Sequence, residues 1–195
     1  MSPVTDQLPQ FSISQVSTLA ASFADDLRAY AAAGADGIGI WELKLGEGTD
    51  AEALEQLGAS GLGSASAVPA VPSVLPLPLL QGPEEPHARV EALCASVHRL
   101  AAFRPAAVVV FTGPAGGRDR DEARSLAVEG LRTVAREAEL VGVRLALEPF
   151  QREGIEDWSL VNTLAEAAAQ ALHDHLELAN EIYTVELKGR SIFAF

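Results

Sequence analysis

The sequence predicts an α/β protein built from parallel strands and crossover helices. Three features carry that prediction. Short apolar runs recur along the chain, and an amphipathic helical pattern follows most of them. The clearest run, Ala106 to Thr112 (AAVVVFT), is continuously apolar, as in parallel sheets buried on both faces. Strands that alternate with helices need parallel neighbours joined by right-handed crossovers. With 195 residues and 48% hydrophobic content, the chain reads as a single domain over 1–195, with residues 1–10 a loose N-terminus.

Phe11 to Ser17 alternates apolar and polar residues and reads as a first strand. Ser22 then precedes Phe23, Leu27, Tyr30 and Ala31 at helical spacing, with Asp25 in the capping-box position and Gly34 placed to end the helix. Gly37 to Leu43 (GIGIWEL) is the second strand, followed by a helix around Ala51 to Leu57. Leu62 to Val71 is the third, and a proline-rich loop leads to a helix around His87 to Phe103 whose apolar face includes Val90, Leu93, Val97 and Leu100. After the fourth strand and a glycine-rich loop, Leu126, Ala127, Leu131, Val134, Ala135 and Ala138 define a helix over Asp121 to Val141, stopped by Gly142.

Arg144 to Phe150 (RLALEPF) is the fifth strand, with Leu145 and Leu147 on one face and Ala146 and Glu148 on the other. Ser159 or Asp157 is positioned to cap a last helix reaching about Asn180, and Tyr183 to Leu187 with Ser191 to Phe195 read as a terminal strand or hairpin. Counting alone favours an open doubly wound sheet, because a closed (β/α)₈ barrel usually needs about 250 residues.

Charge and cysteine content exclude several classes. The formal net charge of −13 repels phosphate backbones, and Arg118, Arg120 and Arg124 are interleaved with Asp119, Asp121 and Glu122, so no nucleic-acid partner is expected. The longest uncharged stretch, between Glu55 and Glu84, is broken by Pro69, Pro72, Pro76 and Pro78, which excludes a membrane helix there. A single cysteine, Cys94, and a first ten residues unlike a secretory signal point to the cytoplasm.

Glu148 is the best chemical handle. Pro149 has no amide hydrogen for the ladder, so the strand ends at Glu148 and its carboxylate stands at the C-terminal rim, where parallel α/β folds place their sites. A partly desolvated carboxylate there is a metal ligand or a base. The alternative is a buried glutamate paired to Arg144 or Arg152. Trp41 and Glu42 stand at the corresponding end of the second strand, suited to stacking on a ligand's apolar face and accepting its hydroxyls, or else to core and solvent roles. Thr112 to Gly117 (TGPAGG) with Arg118 has the makings of an anion cradle but neither P-loop nor dinucleotide spacing, and an ordinary turn is the simpler reading. His173, Asp174 and His175 resemble a metal cluster in composition, yet neighbours on a helix diverge.

The segments GADGIGIWELKLGEG, VVVFTGPAGGRDRDEAR, GVRLALEPF and DWSLVNTLAEA together resemble the xylose isomerase-like TIM-barrel family of sugar phosphate isomerases and epimerases, with endonuclease IV more distant. The resemblance runs from Phe11 to about Ala168, and the LEP strand end followed by DWSLVNTL is its most telling part. It implies a (β/α)₈ barrel with a divalent metal (Mn, Mg, Co or Zn) at the strand ends, Glu148 as a ligand and acid/base group, and a small-molecule sugar or sugar phosphate as substrate. The family's VDxxH segment is missing after DWSLVNTLAEA; Glu186, Asp174 and His175 resemble the later ligands in type alone and are not carried over.

The expectation is therefore a partial (β/α)₈ barrel of about five units, whether a natural short form or the product of an internal deletion or frameshift, with an open edge for the final strand or a second chain to cover. The expected function is a metal-dependent sugar isomerase or epimerase. The alternative is a non-catalytic module that self-associates through its edge.

Overall fold

The structure is a computed structural model, and it describes residues 11–78, 80–150, 158–163 and 165–167. The expected loose N-terminus, most of the last helix, the terminal strand or hairpin, the His173–Asp174–His175 group and Glu186 lie outside the described residues. Among the described residues there are five strands: β1 (Ser12–Ser14), β2 (Gly37–Trp41), β3 (Gly63–Val68), β4 (Val108–Val110) and β5 (Leu145–Leu147). Four helices alternate with them: α1 (Phe23–Ala32), α2 (Asp50–Ser60), α3 (Pro86–Ala101) and α4 (Arg120–Leu140). Short 3₁₀ turns follow β1 (Gln15–Thr18) and β2 (Glu42–Lys44).

All pairings are parallel and the strand order is β1-β2-β3-β4-β5. That order corrects the expectation from length. A doubly wound sheet reverses direction at a switch point and carries helices on both faces, whereas this sheet advances one strand at a time. Its helices share one face, where a single apolar cluster joins Ile38, Ile40, Ala67, Val108, Val110, Leu145 and Leu147 of the strands to Leu27, Leu57, Leu93, Val97 and Val134 of the helices. Ile38, Ile40 and Val108 are fully buried, each contributing about 2 kcal/mol by leaving water. The result is an arc of a (β/α) barrel.

The opposite, concave face follows from strand alternation. A Cβ on Gly39 would approach Ser66 Oγ to 2.9 Å and Ser14 Cβ to 3.3 Å, so Ser14, Gly39 and Ser66 share that face. A register shift between Ile38 and Gly39, opposite Ser64 and Ser66, restores the alternation. By the same period of two, Trp41, Val109, Ala146 and Glu148 are concave, and all four are half-buried.

The helix termini obey local chemistry. Ser22 Oγ accepts from Asp25 N, and Gly34 adopts a φ of 77° just beyond α1. Asp119 caps α4, with Oδ1 accepting from Asp121 N at 3.0 Å and Glu122 N at 3.2 Å. The last helix begins differently from expectation. Thr163 Oγ1 accepts from Glu166 N and Glu166 Oε2 accepts from Thr163 N, both at 3.1 Å, a reciprocal capping box in Thr-Leu-Ala-Glu. Ser159 is committed elsewhere, and Asp157 lies outside the described residues.

Candidate functional site

The rim at the C-terminal ends of the strands has two halves. On the β4–β5 side, Glu148 N donates to Val110 O at 3.0 Å and Phe150 N donates to Val161 O at 3.1 Å. Alternate amides of one extended segment therefore point the same way, which leaves the side chains of Glu148 and Phe150 on the same concave face. Phe111, two residues beyond Val109, joins them. Its ring meets Phe150 edge-on with centroids 4.8 Å apart, and Phe150 meets Trp158 at 5.5 Å.

The Trp158–Asn162 stretch is bound to both strand ends. Gly113 bridges Ser159 in parallel, and Leu160 N donates to Gly113 O at 3.0 Å. The Thr112 and Ser159 hydroxyls share a hydrogen bond of 2.8 Å, while Asn162 Nδ2 donates to Phe150 O at 3.0 Å. The sequence motif there thus has a physical role as a clamp over β4 and β5. Gly113 is required beneath it: at φ 78°, its Cβ would lie 2.3 Å from Leu75 O.

The anion cradle considered at Thr112 to Gly117 meets two obstacles in this geometry. Gly113 packs against the Leu75 backbone, and Asp119 already occupies the first free amides of α4.

On the β1–β3 side, charged groups are paired. Glu42 is 6% exposed; Oε2 accepts from Ala70 N at 2.7 Å and Oε1 from Arg99 Nη1 at 3.4 Å. Arg99 also grips both oxygens of Asp50 and Gly46 O. Hydrogen bonding from Arg99 holds the Asp50 carboxyl below its ordinary value, and Asp50 in turn raises the Arg99 guanidinium. Both oxygens of Glu42 thus tie the end of β2 to the chain beyond β3 and to α3. Trp41 is half-buried beside it, and its amide donates to Gln15 Oε1 at 3.1 Å.

Sequence reasoning missed the network behind Trp41. Gln15, fully buried, donates through Nε2 to Asp26 Oδ2 at 2.8 Å, and Lys44 Nζ reaches the same oxygen at 2.6 Å. Lys44 also donates to Thr18 O at 2.6 Å, Thr18 to Asp26 Oδ1 at 2.8 Å, and Tyr30 to Ser14 O at 3.2 Å. Burial pushes the Tyr30 phenol above its ordinary value. One signal was available in the sequence: Asp26 sits on the apolar face of α1 with Phe23, Leu27 and Tyr30, where a carboxylate needs a buried partner.

The third strand's loop is anchored by Arg89, whose Nε and Nη2 donate to Ser73 O and Oγ and whose Nη1 donates to Pro83 O. Its burial lowers the guanidinium's proton affinity. Ser73 then bridges Phe111, so the loop extends the sheet at the rim. Cys94 is half-buried on α3, with burial raising the thiol, Glu137 and Glu91 adding to the effect, and reactivity suppressed accordingly.

A singly wound parallel arc with a carboxylate at the end of its fifth strand defines a TIM-barrel class of protein, and the comparisons specify which. Residues 27–179 match the family model described as xylose isomerase-like TIM barrel, and the chain belongs to that family. No curated protein matches it. Among solved structures, 3-keto-D-glucoside 4-epimerase YcjR from E. coli is similar over 88% of this chain and 66% of its own, with 18% identity and a TM-score of 0.70. D-psicose 3-epimerase from Clostridium cellulolyticum H10, solved with D-tagatose, is similar over 83% and 60%, with 18% identity and a TM-score of 0.65. The IOLI protein, solved with a zinc atom, is similar over 88% and 61%, with 16% identity and a TM-score of 0.67. The chain thus spans about three fifths to two thirds of the length of these structures and is a partial barrel.

Proposed function

We propose that the chain is a metal-dependent sugar isomerase or epimerase that moves a proton on carbon next to a carbonyl. The observation that carries this reading is the placement of Glu148: half-buried, concave, and at the end of β5 in a chain of the xylose isomerase-like family. Its hard oxygen donors suit Mg, Mn, Co or Zn. Among the described residues no group of three His, Cys, Asp or Glu side chains is gathered for an ion, so the described part contributes one ligand. A divalent cation held there supplies Lewis acidity toward a sugar carbonyl and its neighbouring hydroxyl.

The chain's own chemistry is proton transfer. Glu148 takes the proton from the carbon beside the carbonyl; in isomerisation it returns that proton on the same face to the former carbonyl carbon while the hydroxyl proton passes to the former carbonyl oxygen, and in epimerisation a second acid on the opposite face delivers a proton to the same carbon. Trp41 offers a half-buried aromatic edge to the sugar, and Glu42 acts through the chain it holds at Ala70. The substrate is a small-molecule sugar or sugar phosphate. Among the described residues no helix is long and apolar enough to cross a membrane; with one cysteine in the chain, the cytoplasm is the proposed location.

The test is a thermal shift with MnCl₂, CoCl₂, MgCl₂ and ZnCl₂. At least one ion should raise the melting temperature of the full chain, and Glu148→Gln should abolish the rise. No shift with any of the four, or an undiminished shift in Glu148→Gln, refutes the reading.

A further inference from the structure

The aromatic residues around Glu148 form a second, unassigned feature of the rim. Glu148 and Phe150 lie two apart on an extended segment whose amides bond in the same direction, so their side chains leave the same face. Phe111 backs Phe150 edge-on at 4.8 Å and is itself buried, which fixes the Phe150 ring from behind. Trp158 flanks it at 5.5 Å with planes inclined at 51°. The clamp from Trp158 to Asn162 holds this side chain's backbone to both strand ends, and Asn162 Nδ2 fixes the Phe150 carbonyl. Phe150 and Trp158 are both half-buried, so neither residue is sealed in the core.

An aromatic pair at the same end of β5 as a half-buried carboxylate matches a ligand with one apolar face and one polar edge. Aromatic walls with a few placed polar groups are how small-molecule sites combine affinity with orientation. Sugars have that character, because axial hydrogens gather on one ring face while hydroxyls point outward at the edge.

We propose that Phe150 and Trp158 are the platform on which the C–H face of the sugar rests, with Phe111 as their support, so that the edge carrying the carbonyl is turned toward Glu148. This inference rests on the sugar reading above and adds to it the residues that orient the substrate. It separates the rim's labour: Phe150 and Trp158 set which face of the sugar lies down, and Glu148 handles the proton.

Tryptophan fluorescence tests this directly, because Trp41 and Trp158 are the chain's two tryptophans. D-Fructose and D-tagatose serve as probes, with melting temperature measured in parallel. In Trp41→Phe, where Trp158 is the remaining tryptophan, the proposal expects a saturable change in emission. Phe150→Leu should weaken the apparent affinity about tenfold, and Phe150→Tyr should restore most of it, with far-ultraviolet circular dichroism unchanged in both. Sugar-induced stabilisation of Trp41→Phe itself with a silent Trp158, or of the full chain with equal affinity in Phe150→Leu, overturns the platform and leaves the sugar reading standing. Neither sugar altering the melting temperature or the emission of any chain overturns both.

Discussion

Removing the ammonium of Lys44 should destabilise the chain far more than loss of an ordinary surface charge. Lys44 and Asp26 lie 2.6 Å apart with side chains 6% and 1% exposed, so neither has water to fall back on. Lys44→Met keeps the length of the stem and removes the charge, leaving Asp26 with Gln15 and Thr18 as donors. Breaking one side of a buried pair costs about 3–5 kcal/mol, and the two surviving donors put this case at about 3. For a chain of this size that is a melting-temperature loss of about 6–12 °C. Asp26→Leu leaves the Lys44 ammonium stranded and should cost a similar amount. If the two act as a unit, Lys44→Met/Asp26→Leu should also cost about 3 kcal/mol rather than the sum of about 6. Urea unfolding followed by circular dichroism, with an unchanged m-value, measures all three. A double variant near the sum refutes the coupling. A Lys44→Met cost below about 1 kcal/mol would show that the pair behaves as a solvated surface bridge.

Two further outcomes follow from the packing around the rim. Arg99 lowers the Asp50 carboxyl below its ordinary value of 3.8, so the folded state binds that proton less readily than the unfolded state. The pair's stabilisation is therefore complete above the unfolded value and is lost as pH falls through the lower folded one. The stability difference between the natural chain and Asp50→Asn should be flat from about pH 8 to 5 and shrink below about 4; a difference that grows on acidification contradicts the assignment. Gly130→Ala sets helix propensity against space. A Cβ there meets Val74 Cγ1 at 2.6 Å and Val90 Cγ2 at 2.9 Å, with Val74 fully buried and unable to yield. Overpacking of about 1–3 kcal/mol should exceed the gain of about 1 kcal/mol from removing a helical glycine, so the variant unfolds at lower urea. A stabilised Gly130→Ala would show that α3 and α4 separate freely.

The helices were legible in the sequence because their signals are local. Ser22, Asp25 and Gly34 bound α1 as expected, and α4 runs Arg120–Leu140 against an expected Asp121 to Val141. The strands were overdrawn. Ala106 to Thr112 contracts to Val108–Val110 and Leu62 to Val71 to Gly63–Val68, because apolar residues at the rim are buried by loops instead of by ladder partners. Phe111 pairs with the loop residue Ser73, and Leu75 N donates to Thr112 O. The choice between an open sheet and a barrel arc was beyond residue counting, since length constrains closure and says nothing about which face the helices cover. The GIGI of β2 holds the relevant clue: its isoleucines are fully buried against the helices while its glycines line the concave face.

The site divides along the same line between local and distant information. Glu148 was legible because an apolar run and Pro149 place it without reference to any other part of the chain. Glu42 was legible as a rim carboxylate, yet its meaning depends on Arg99, 57 positions away, and on the Ala70 amide. Lys44 and Asp26, 18 positions apart, follow the same rule. These pairings give the rim its asymmetry. On the β1–β3 side the cations of Lys44 and Arg99 stand against the carboxylates of Asp26, Asp50 and Glu42 at hydrogen-bonding distance, so each field is largely cancelled where it arises. That side is suited to holding the ends of β1 and β2 rigid, with Trp41 fixed through Gln15. The β4–β5 side carries the half-buried Glu148 and, two residues on, Phe150, at the strand ends where parallel α/β folds place their sites. Both oxygens of Glu42 are engaged in holding the end of β2, and on the function proposed above it is the placement of Glu148 at the end of β5, in a chain of the xylose isomerase-like family, that assigns it rather than Glu42 the proton.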